Sequence, residues 1–427
     1  MSQTAQASLF PAKQPSVQGP WPLPSGWEWV PLGEACQINP RRPRLERADD
    51  APTSFLPMSG VDELDGTIAG LEERSFKDVA RGFTYFEEGD VLFAKITPCM
   101  QNGKCIVTRG LCDRIGFGST EFHVLRPSSR LIADWVHRFL RRLAFRLEAK
   151  EHFRGAVGQQ RVPEDFLASS LIPVPPSLDI QRRIVARIEA LLAEVKEARA
   201  LAAAIRRDTD RVMGAAVEEM FDNLEHRKVE HEPLGSLLRA KPQYGLSEKA
   251  SDSPPGVPIL RMGNIVGGEV RLNNLKFVEL SPAKETKYLV GNGDILFNRT
   301  NSAELVGKSA VYEGSERVVF ASYLIRLVAD QQKARPRFLV TYINSLRGRT
   351  YIQSQLTRAI GQVNVNAQKL AAMLVPVPDL KEQDQVCEYL AGLKQEVDEM
   401  RRLQAQDAEL LDQLEQSILE RAFRGEL

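Results

Sequence analysis

Hydrophobic and polar positions follow two different periods along this chain. Short apolar, β-branched runs at 89–93, 105–108 and 121–125 alternate with Gly and Asn turns, a pattern typical of β-strands. Apolar residues at helical spacing follow at 132–147 and again at 336–356, which predicts a helix in each place. These segments therefore predict domains of mixed α/β structure.

Two longer segments keep the seven-residue period of a coiled coil. The apolar seam steps alternately by four and three residues from Ile184 to Ala216, and again from Val386 to Ile418. Polar residues interrupt the seam near its middle, at Thr209 and Asp407. A helix of about 40 residues is about 60 Å long, and with an apolar stripe it needs a partner. The nearest candidate is the other copy.

Proline-rich connectors precede both helices, IPVPP at 172–176 and VPVPD at 375–379. Proline fixes φ and disfavours a helical conformation in the residue before it, so the connectors are predicted to be extended. Asp179 and Asp379 are the predicted start signals of the helices beyond them.

The whole pattern occurs twice at an offset of 202 to 204 residues. The matched segments are VPLGEAC (30–36) with EPLGSLL (232–238), LPMSGVDELDGTI (56–68) with LRMGNIVGGEV (260–270), GDVLFAKITPCMQNGKCIV (89–107) with GDILFNRTNSAELVGKSAVY (293–312), and VGQQRVPEDFLASSLIPVP (157–175) with IGQVNVNAQKLAAMLVPVP (360–378). Solenoid repeats have periods of about 20 to 50 residues. The chain is therefore predicted to be a duplicated α/β (α+β) domain joined by two long helices. If the helices pair antiparallel, the copies are related by a pseudo-two-fold axis.

Composition bounds the class of protein. Hydrophobic residues make up 43% and charged residues 26% of 427 residues, which is typical of globular proteins with two or more domains. No apolar run reaches the roughly 18 residues of a membrane span. Five cysteines without C-x-x-C spacing and scattered histidines argue against a zinc site. Residues 1–21 resemble a disordered leader rather than an export signal, and with the free thiols this predicts a cytoplasmic protein.

Charge supports nucleic-acid binding only in the second half. The net charge is zero, but residues 229–375 contain 19 Lys and Arg against 12 Asp and Glu. Residues 21–165 are near neutral, with 20 against 21. Because binding follows local clustering, this is weak evidence for DNA. The architecture alone leaves two functions open, namely a reader of a two-part DNA site or a scaffold whose domains bind other proteins.

The sequence resembles the specificity subunits of type I restriction-modification systems. The resemblance is carried by the opening LPSGWEWVPLGE (23–34), both GD[VI]LF loops, both [IV]PVP connectors and the closing ILERAFRGEL (418–427), and it covers nearly the whole chain from about Pro22. No single one of these motifs is very specific. Together they are, because they are duplicated at constant spacing in the order of the family.

The resemblance implies a non-catalytic reader of double-stranded DNA. It implies target-recognition domains at 22–171 and 229–374, each reading one half of a bipartite, asymmetric site. It implies conserved helical regions at 172–228 and 375–427, an antiparallel coiled coil that sets the gap and docks two modification subunits, which restriction (translocase) subunits then join. S-adenosylmethionine, ATP and Mg²⁺ belong to those partners, and this chain is expected to hold no cofactor.

The sequence lacks a catalytic or nucleotide-binding constellation. Gly307-Lys308-Ser309 resembles the end of a phosphate-binding loop, but Ser302 stands where the first glycine is required. Asn39-Pro40-Arg41 lacks the second proline and the aromatic residue of an adenine methyltransferase motif, and is interpreted as a turn.

Candidate base-reading residues are polar and basic side chains on loops. In the first domain they are Lys95, Thr97, Gln101, Lys104, Gln159, Gln160 and Arg161. In the second they are Asn298, Arg299, Thr300, Asn301, Ser302, Lys308, Gln362, Asn364 and Asn366. The alternative is that these side chains stabilise their own turns. The basic run Arg138, Arg141, Arg142 and Arg146 could grip phosphates or form a solvated helix face, and Arg421, Phe423 and Arg424 are expected to pack at a helix end or on a partner.

Overall fold

The computed structural model describes residues 18–156, 158–302, 304–359 and 362–427, so most of the predicted leader lies outside the described residues. The chain folds into two compact units. Unit 1 comprises the chain up to Leu201 together with Asp407–Leu427, and unit 2 comprises Ala202–Gln406. Each unit therefore contains one globular copy and parts of both long helices.

Unit 1 is built on two four-stranded sheets and one two-stranded sheet. Its strands are β1 (Glu28–Pro31), β2 (Cys36–Ile38), β3 (Pro52–Leu56), β4 (Glu72–Ser75), β5 (Thr84–Glu87), β6 (Val91–Ala94), β7 (Cys105–Val107), β8 (Ile115–Gly118), β9 (Phe122–Pro127) and β10 (Leu171–Val174). The strand orders are β2-β9-β6-β7, β4-β3-β8-β5 and β1-β10. Strand β6 pairs antiparallel with β9, Val91 opposite Leu125, whereas β3 and β8 run parallel. The three predicted strands are confirmed as β6, β7 and β9.

The helices of unit 1 cover these sheets. They are α1 (Leu32–Ala35), α2 (Phe76–Val79), α3 (Ala133–Leu140), α4 (Leu143–Glu151), α5 (Glu164–Ser169) and the first part of α6 (Leu178–His226), with 3-10 turns at Met58–Gly60 and Cys112–Arg114. The single helix predicted at 132–147 is wrong, because the chain is extended at Arg142 and divides it into α3 and α4. Trp135 and Phe139 of α3 pack on Phe423, which confirms that the C-terminal tail packs at a helix end.

Unit 2 repeats this arrangement. Its strands are β11 (His231–Pro233), β12 (Gln243–Tyr244), β13 (Val257–Leu260), β14 (Ile265–Val266), β15 (Glu269–Val270), β16 (Lys276–Val278), β17 (Ile295–Asn298), β18 (Thr300–Asn301), β19 (Ser309–Val311), β20 (Val319–Phe320), β21 (Leu324–Leu327), β22 (Thr357–Ala359), β23 (Gln362–Asn364) and β24 (Leu374–Pro376). The strand orders are β12-β21-β17-β19-β15-β14, β16-β13-β20, β18-β23-β22 and β11-β24. Ile295 lies opposite Leu327, as Val91 lies opposite Leu125 in unit 1.

The helices of unit 2 also match those of unit 1. They are the second part of α6, then α7 (Pro282–Tyr288), α8 (Pro336–Asn344), α9 (Leu346–Ser354), α10 (Ala367–Ala371) and the first part of α11 (Leu380–Arg424), with 3-10 turns at Leu234–Leu237 and Met262–Asn264. Asp379 accepts a hydrogen bond from the Glu382 amide at 2.8 Å and so caps α11 as predicted. Ser177 rather than Asp179 caps α6, at 3.3 Å from the Ile180 amide. Within the described ranges, no helix combines the length and apolar character needed to cross a membrane.

The repeated Gly-Asp turns are structural. Gly89 and Gly293 have φ of +89° and +86°, a conformation that favours glycine. Asp90 accepts the Glu87 amide at 2.8 Å, and Asp294 accepts the Gly291 amide at the same distance. Both aspartates are buried against an arginine of the neighbouring strand, β9 or β21. The motif therefore fixes the start of strands β6 and β17.

Helices α6 and α11 pack antiparallel within each unit. In unit 2, Asp210 of α6 pairs with Arg401 of α11 at 2.8 Å. Arg227, the residue after the end of α6, pairs with Glu382 near the start of α11. In unit 1, Arg199 pairs with Asp412 at 2.6 Å. Val195 and Ile418 line one groove of that unit, as opposite directions require.

The predicted seam is buried only in part. Ile188 and Val195 are buried in unit 1, and Leu390 and Val397 in unit 2. Thr209 is also buried, and its hydroxyl accepts a hydrogen bond from Gln404 at 2.8 Å. Four seam positions are exposed, so the predicted burial is wrong there; they are Ile205, Met400, Asp407 and Leu414.

Candidate nucleic-acid interface

The two candidate loops of unit 1 lie side by side, although about 60 residues of chain separate them. Ile96 forms a β-bridge with Arg161. The Thr97 amide donates to Gln160 O at 3.0 Å, and the Val162 amide donates to Lys95 O at 2.9 Å. We call residues 95–104 and 159–161 the paired loops of unit 1.

The candidate loops of unit 2 are joined in the same way. Thr300 lies opposite Asn364, and Asn301 opposite Val363, where β18 pairs with β23. The Val365 amide donates to Arg299 O at 3.0 Å. Residues 299–302, 304–308 and 362–366 are the paired loops of unit 2.

The backbone bonds make Lys95 and Arg299 equivalent positions. The Lys95 amide donates to Glu121 O, and the Arg299 amide donates to Tyr323 O, both at 2.9 Å. The carbonyl of each residue also accepts a hydrogen bond from a valine amide, Val162 in unit 1 and Val365 in unit 2. The two frames therefore match, and Glu121 corresponds to Tyr323.

An ion pair dominates the paired loops of unit 1. The Arg161 guanidinium donates to both carboxylate oxygens of Glu121, at 2.9 and 2.7 Å. These bonds hold the pKa of the Glu121 carboxyl below its ordinary value and raise the pKa of Arg161. The charge of Arg161 is therefore neutralised locally, and the Nε and Nη2 donors of its guanidinium are occupied.

Aromatic rings replace that carboxylate in unit 2. The Arg299 guanidinium lies 4.8 Å from the centre of the Tyr244 ring, a cation–π contact. Within the described residues it makes no ion pair, and its buried Nε has no hydrogen-bond partner. Tyr244 and Tyr323 are 41% and 43% exposed. The Tyr244 hydroxyl accepts the Ala367 amide at 2.9 Å, so this residue supports Arg299 and anchors the second loop.

Several predicted residues make internal contacts instead of presenting free side chains. Asn298 is 1% exposed, on the last position of β17. Asn366 caps α10 by accepting the Lys369 amide at 2.8 Å. Lys104 donates to Met58 O at 3.0 Å, and Thr97 donates to Gln101.

The remaining candidates lie at the surface of the paired loops. Lys308, Ser302 and Gln159 are exposed, whereas Lys95, Thr300 and Asn364 are half-buried. Gln160 and Asn301 are half-buried as well, and the side chain of Gln362 lies outside the described set. Lys95 and Lys308 have no ion-pair partner among the described residues. Lys104 binds only the carbonyl of Met58, so Lys95, Lys104, Lys308 and Arg299 are the cations of the paired loops that no carboxylate neutralises among the described residues.

The basic run of α3 and α4 is neither a phosphate grip nor a solvated face. Arg142 is 3% exposed and donates to Glu420 at 2.9 Å. Arg141 donates to Gly103 O at 2.8 Å, and Arg146 donates to Gln101 O at 2.5 Å. Arg138 pairs with Glu189. Arg141 and Arg146 therefore bind backbone carbonyls of the paired loops from the interior of unit 1.

Sequence reasoning did not identify Tyr244, Tyr323 or Glu121. Tyr244 lies on β12, far from Arg299 along the chain, and only tertiary structure brings them together. Among the described residues there is no group of three or more His, Cys, Asp or Glu side chains that could hold a metal ion. The arrangement offers cations and polar groups on a rigid frame, which suits recognition of an anionic polymer.

Comparison with known proteins decides the family. Residues 24–204 and 228–420 each match the type I restriction modification DNA specificity domain. The chain belongs to this family. Both matches end within the long helices, so the family domain includes a globular copy and part of its helix.

Specificity subunits are similar to the chain over most of its length. The EcoEI type I restriction enzyme specificity subunit of Escherichia coli is 26% identical, covering 84% of this chain and 76% of that subunit. The StySPI specificity subunit of Salmonella potsdam is 28% identical, covering 95% and 90%. The predicted role as a type I DNA-specificity subunit, non-catalytic in itself, is confirmed by this membership.

Solved structures share the fold. A chain from a study of assembly and conformational transition of the type I R-M system has a TM-score of 0.74 at 24% identity, covering 96% of this chain and all of that one. The HsdS subunit from Thermoanaerobacter tengcongensis has a TM-score of 0.63 at 24% identity, with the same coverage. The predicted fold class, duplicated α/β domains with two long helices, is confirmed.

Proposed function

We propose that each unit reads one half of a bipartite, asymmetric site in double-stranded DNA through its paired loops. The observation that carries this proposal is the common backbone frame around Lys95 and Arg299, surrounded by different side chains. Contacts with the DNA phosphates position a protein on DNA, and side chains at base edges specify the sequence. One frame with two sets of side chains suits two different half-sites.

Arg299 is the residue that we assign to a guanine in the second half-site. An arginine fork donates to guanine O6 and N7 with a geometry that few other pairs match. The Tyr244 ring restricts the guanidinium without occupying its outer donors. Lys308 lies on the same loop as a cation for phosphate, whereas Asn298 and Asn366 are left out because their side chains have structural roles.

The recognition domains in this proposal are residues 22–171 and 229–374, and the helical regions are 172–228 and 375–427. Two modification subunits dock on the helical regions, restriction (translocase) subunits join them, and S-adenosylmethionine, ATP and Mg²⁺ are bound there. The number of heptads sets the length of the unspecified spacer. Exposed apolar side chains on both helices support docking; they are Leu201 and Leu410 in unit 1, and Ile205, Tyr389 and Leu403 in unit 2. Five free thiols support a reducing, cytoplasmic location.

The test is methylome sequencing of cells that express this chain with its modification subunit, against cells that express the modification subunit alone. We expect one asymmetric two-part motif that is methylated only when this chain is present. Methylation that is independent of the chain, in cells where the complex assembles, would contradict the proposal and favour a scaffold.

A further inference from the structure

We propose that Arg146 and Arg349 are positioning residues for sequence recognition. Each holds the first loop of its own unit from the side of α4 or α9, and so sets the base preference of one half-site without touching DNA. This inference rests on the proposed function of the paired loops. It assigns a role to side chains that lie behind them.

The two arginines make equivalent contacts with loop carbonyls. Arg146 Nη1 donates to Gln101 O at 2.5 Å. Arg349 Nη2 donates to Glu304 O at 2.7 Å, and its Nη1 donates to Val306 O. In both units the acceptors lie a few residues before the loop ends, on the segment that carries Lys104 or Lys308.

A glycine in each loop makes room for the arginine. Gly103 and Gly307 have φ of +85° and +86°, and a Cβ on either would lie 3.1 Å or 2.8 Å from the guanidinium of Arg146 or Arg349. These are the glycines of the repeated Gly-Lys motif. The motif therefore has a structural cause other than phosphate binding, because glycine both allows the turn and admits the arginine.

Neither guanidinium has a carboxylate partner within 4 Å among the described residues. Both are half-buried, and burial lowers the pKa of Arg146 and of Arg349. A desolvated cation without an acid is unfavourable unless its hydrogen bonds are satisfied. Loop carbonyls accept from the terminal nitrogens of both arginines, whereas the buried Nε of Arg146 has no partner among the described residues. The loop geometry and the arginine position therefore depend on each other.

An arginine bound to loop carbonyls affects recognition through the position of the loop. A side chain that reads a base must be held to within about 0.5 Å by the groups that support it. Releasing the loop of unit 2 would let Arg299 and Lys308 move relative to the base edges. The expected effect is a loss of discrimination confined to the second half-site.

The test uses the assembled complex of the full chain with its modification subunit, and methylation of DNA libraries randomised in one half-site at a time. Arg349→Gln is expected to lower the preference for cognate over near-cognate second half-sites about tenfold, part of the discrimination of one base contact, and to leave the first half-site preference intact. Arg146→Gln should do the reverse. Arg349→Lys should restore part of the preference, since lysine can still donate to one carbonyl.

Glycine variants separate positioning from folding. Gly307→Ala should reproduce the effect of Arg349→Gln, because its Cβ would lie 2.8 Å from the guanidinium and 2.9 Å from the Ile352 side chain, and would displace both. Gly293 precedes β17, has the same positive φ (+86°) and has no guanidinium contact. Gly293→Ala should therefore leave the methylated DNA motif unchanged. A purely structural role would lower methylation of all sequences alike.

The outcomes distinguish the two proposals. If Arg349→Gln and Gly307→Ala lower methylation uniformly or not at all, while Arg299→Ala still alters the second half-site, the positioning role is wrong and the proposed function stands. If Arg299→Ala also leaves the motif unchanged, the assignment of the paired loops to base reading is wrong, and the inference falls with it.

Discussion

In unit 1 the arginine of the paired loops, Arg161, is bound to Glu121, whereas in unit 2 the arginine of the paired loops, Arg299, lies on the ring of Tyr244. The strands around them are connected in the same order, and Glu121 and Tyr323 accept the same backbone bond. At these positions the backbone bonds are shared and the side chains differ.

This comparison separates two tasks that one loop must perform. The backbone hydrogen bonds around the loop, together with Arg146 of α4 or Arg349 of α9, are common to both units and position the loop. The side chains on the frame are not shared, and they decide whether an arginine fork is free. We infer that the second half-site is read by a guanidinium, and that the first is read by polar groups of unit 1, with Lys95 as a cation for phosphate.

The largest effect is expected from Arg299→Ala. It should lower discrimination at one base pair of the second half-site by about 1–3 kcal/mol, because a bidentate contact is lost. The measurement is competitive binding of the assembled complex to cognate DNA and to DNA altered in either half-site. An equal loss on cognate and scrambled DNA would show that Arg299 contacts phosphate instead. Arg161→Ala is the comparison variant in unit 1 and should leave the preference for the second half-site unchanged.

The fold could be predicted wherever a pattern is local. Strands β6, β7 and β9 and the helices α6 and α11 follow from periods within one segment, and the duplication follows from matched segments. The break between α3 and α4 could not be predicted, because Arg142 leaves the helical conformation and is buried with Glu420, which lies far away in the sequence. A basic run that resembles a solvated face is therefore internal.

The loops of the candidate site stand out in the sequence, whereas the contacts of their side chains do not. The two loops were identified separately, and their pairing through Thr97 and Gln160 depends on tertiary structure. Asn298 continues the buried run of β17 by one residue, and nothing local distinguishes it from the exposed Ser302. Tyr244 has no local signal either, because its contact with Arg299 spans more than 50 residues.

Acid should destabilise unit 1 before unit 2. His137 is 4% exposed and donates from Nε2 to Cys105 O at 2.9 Å, and burial lowers its pKa to about 3. Burial also lowers the pKa of His123. The unfolded chain binds protons at these groups below about pH 6.5 and the folded chain does not, so stability falls as the pH falls through that value. In unit 2, His226 is exposed, and His231 is half-buried and lies 3.0 Å from Glu225.

The expected loss from His137 alone is about 1.4 kcal/mol between about pH 7.5 and pH 5.5. Hydrogen exchange at the two pH values, corrected for intrinsic rates, measures it separately in each unit. His137→Gln can keep the bond to Cys105 O without titrating, and should remove most of the difference. An equal loss of protection in both units would contradict the assignment.

Glu121→Gln should make unit 1 more like unit 2. Removing this carboxylate releases the Arg161 guanidinium and deletes a negative charge beside the paired loops. Binding to all DNA sequences should become tighter, with a salt dependence of log K steeper by about 1. Glu34→Gln, an exposed carboxylate elsewhere in unit 1, is the control and should change little. Weaker binding would mean that the ion pair itself holds the loop in its working geometry.

The smallest effect is expected from Lys95→Ala. The Lys95 ammonium has no ring over it and no acidic partner among the described residues, so we expect a point-charge contact with phosphate rather than a fixed fork on a base. Its loss should weaken binding to cognate and scrambled DNA alike, and reduce the salt slope by about 1. Titrations of the assembled complex over a range of salt concentrations give both quantities, with Arg299→Ala measured in parallel. If Lys95→Ala instead alters the preferred sequence of the first half-site, the equivalent positions of the two units read bases in the same way. The contrast between them would then lie in which base is read, and not in whether one is read.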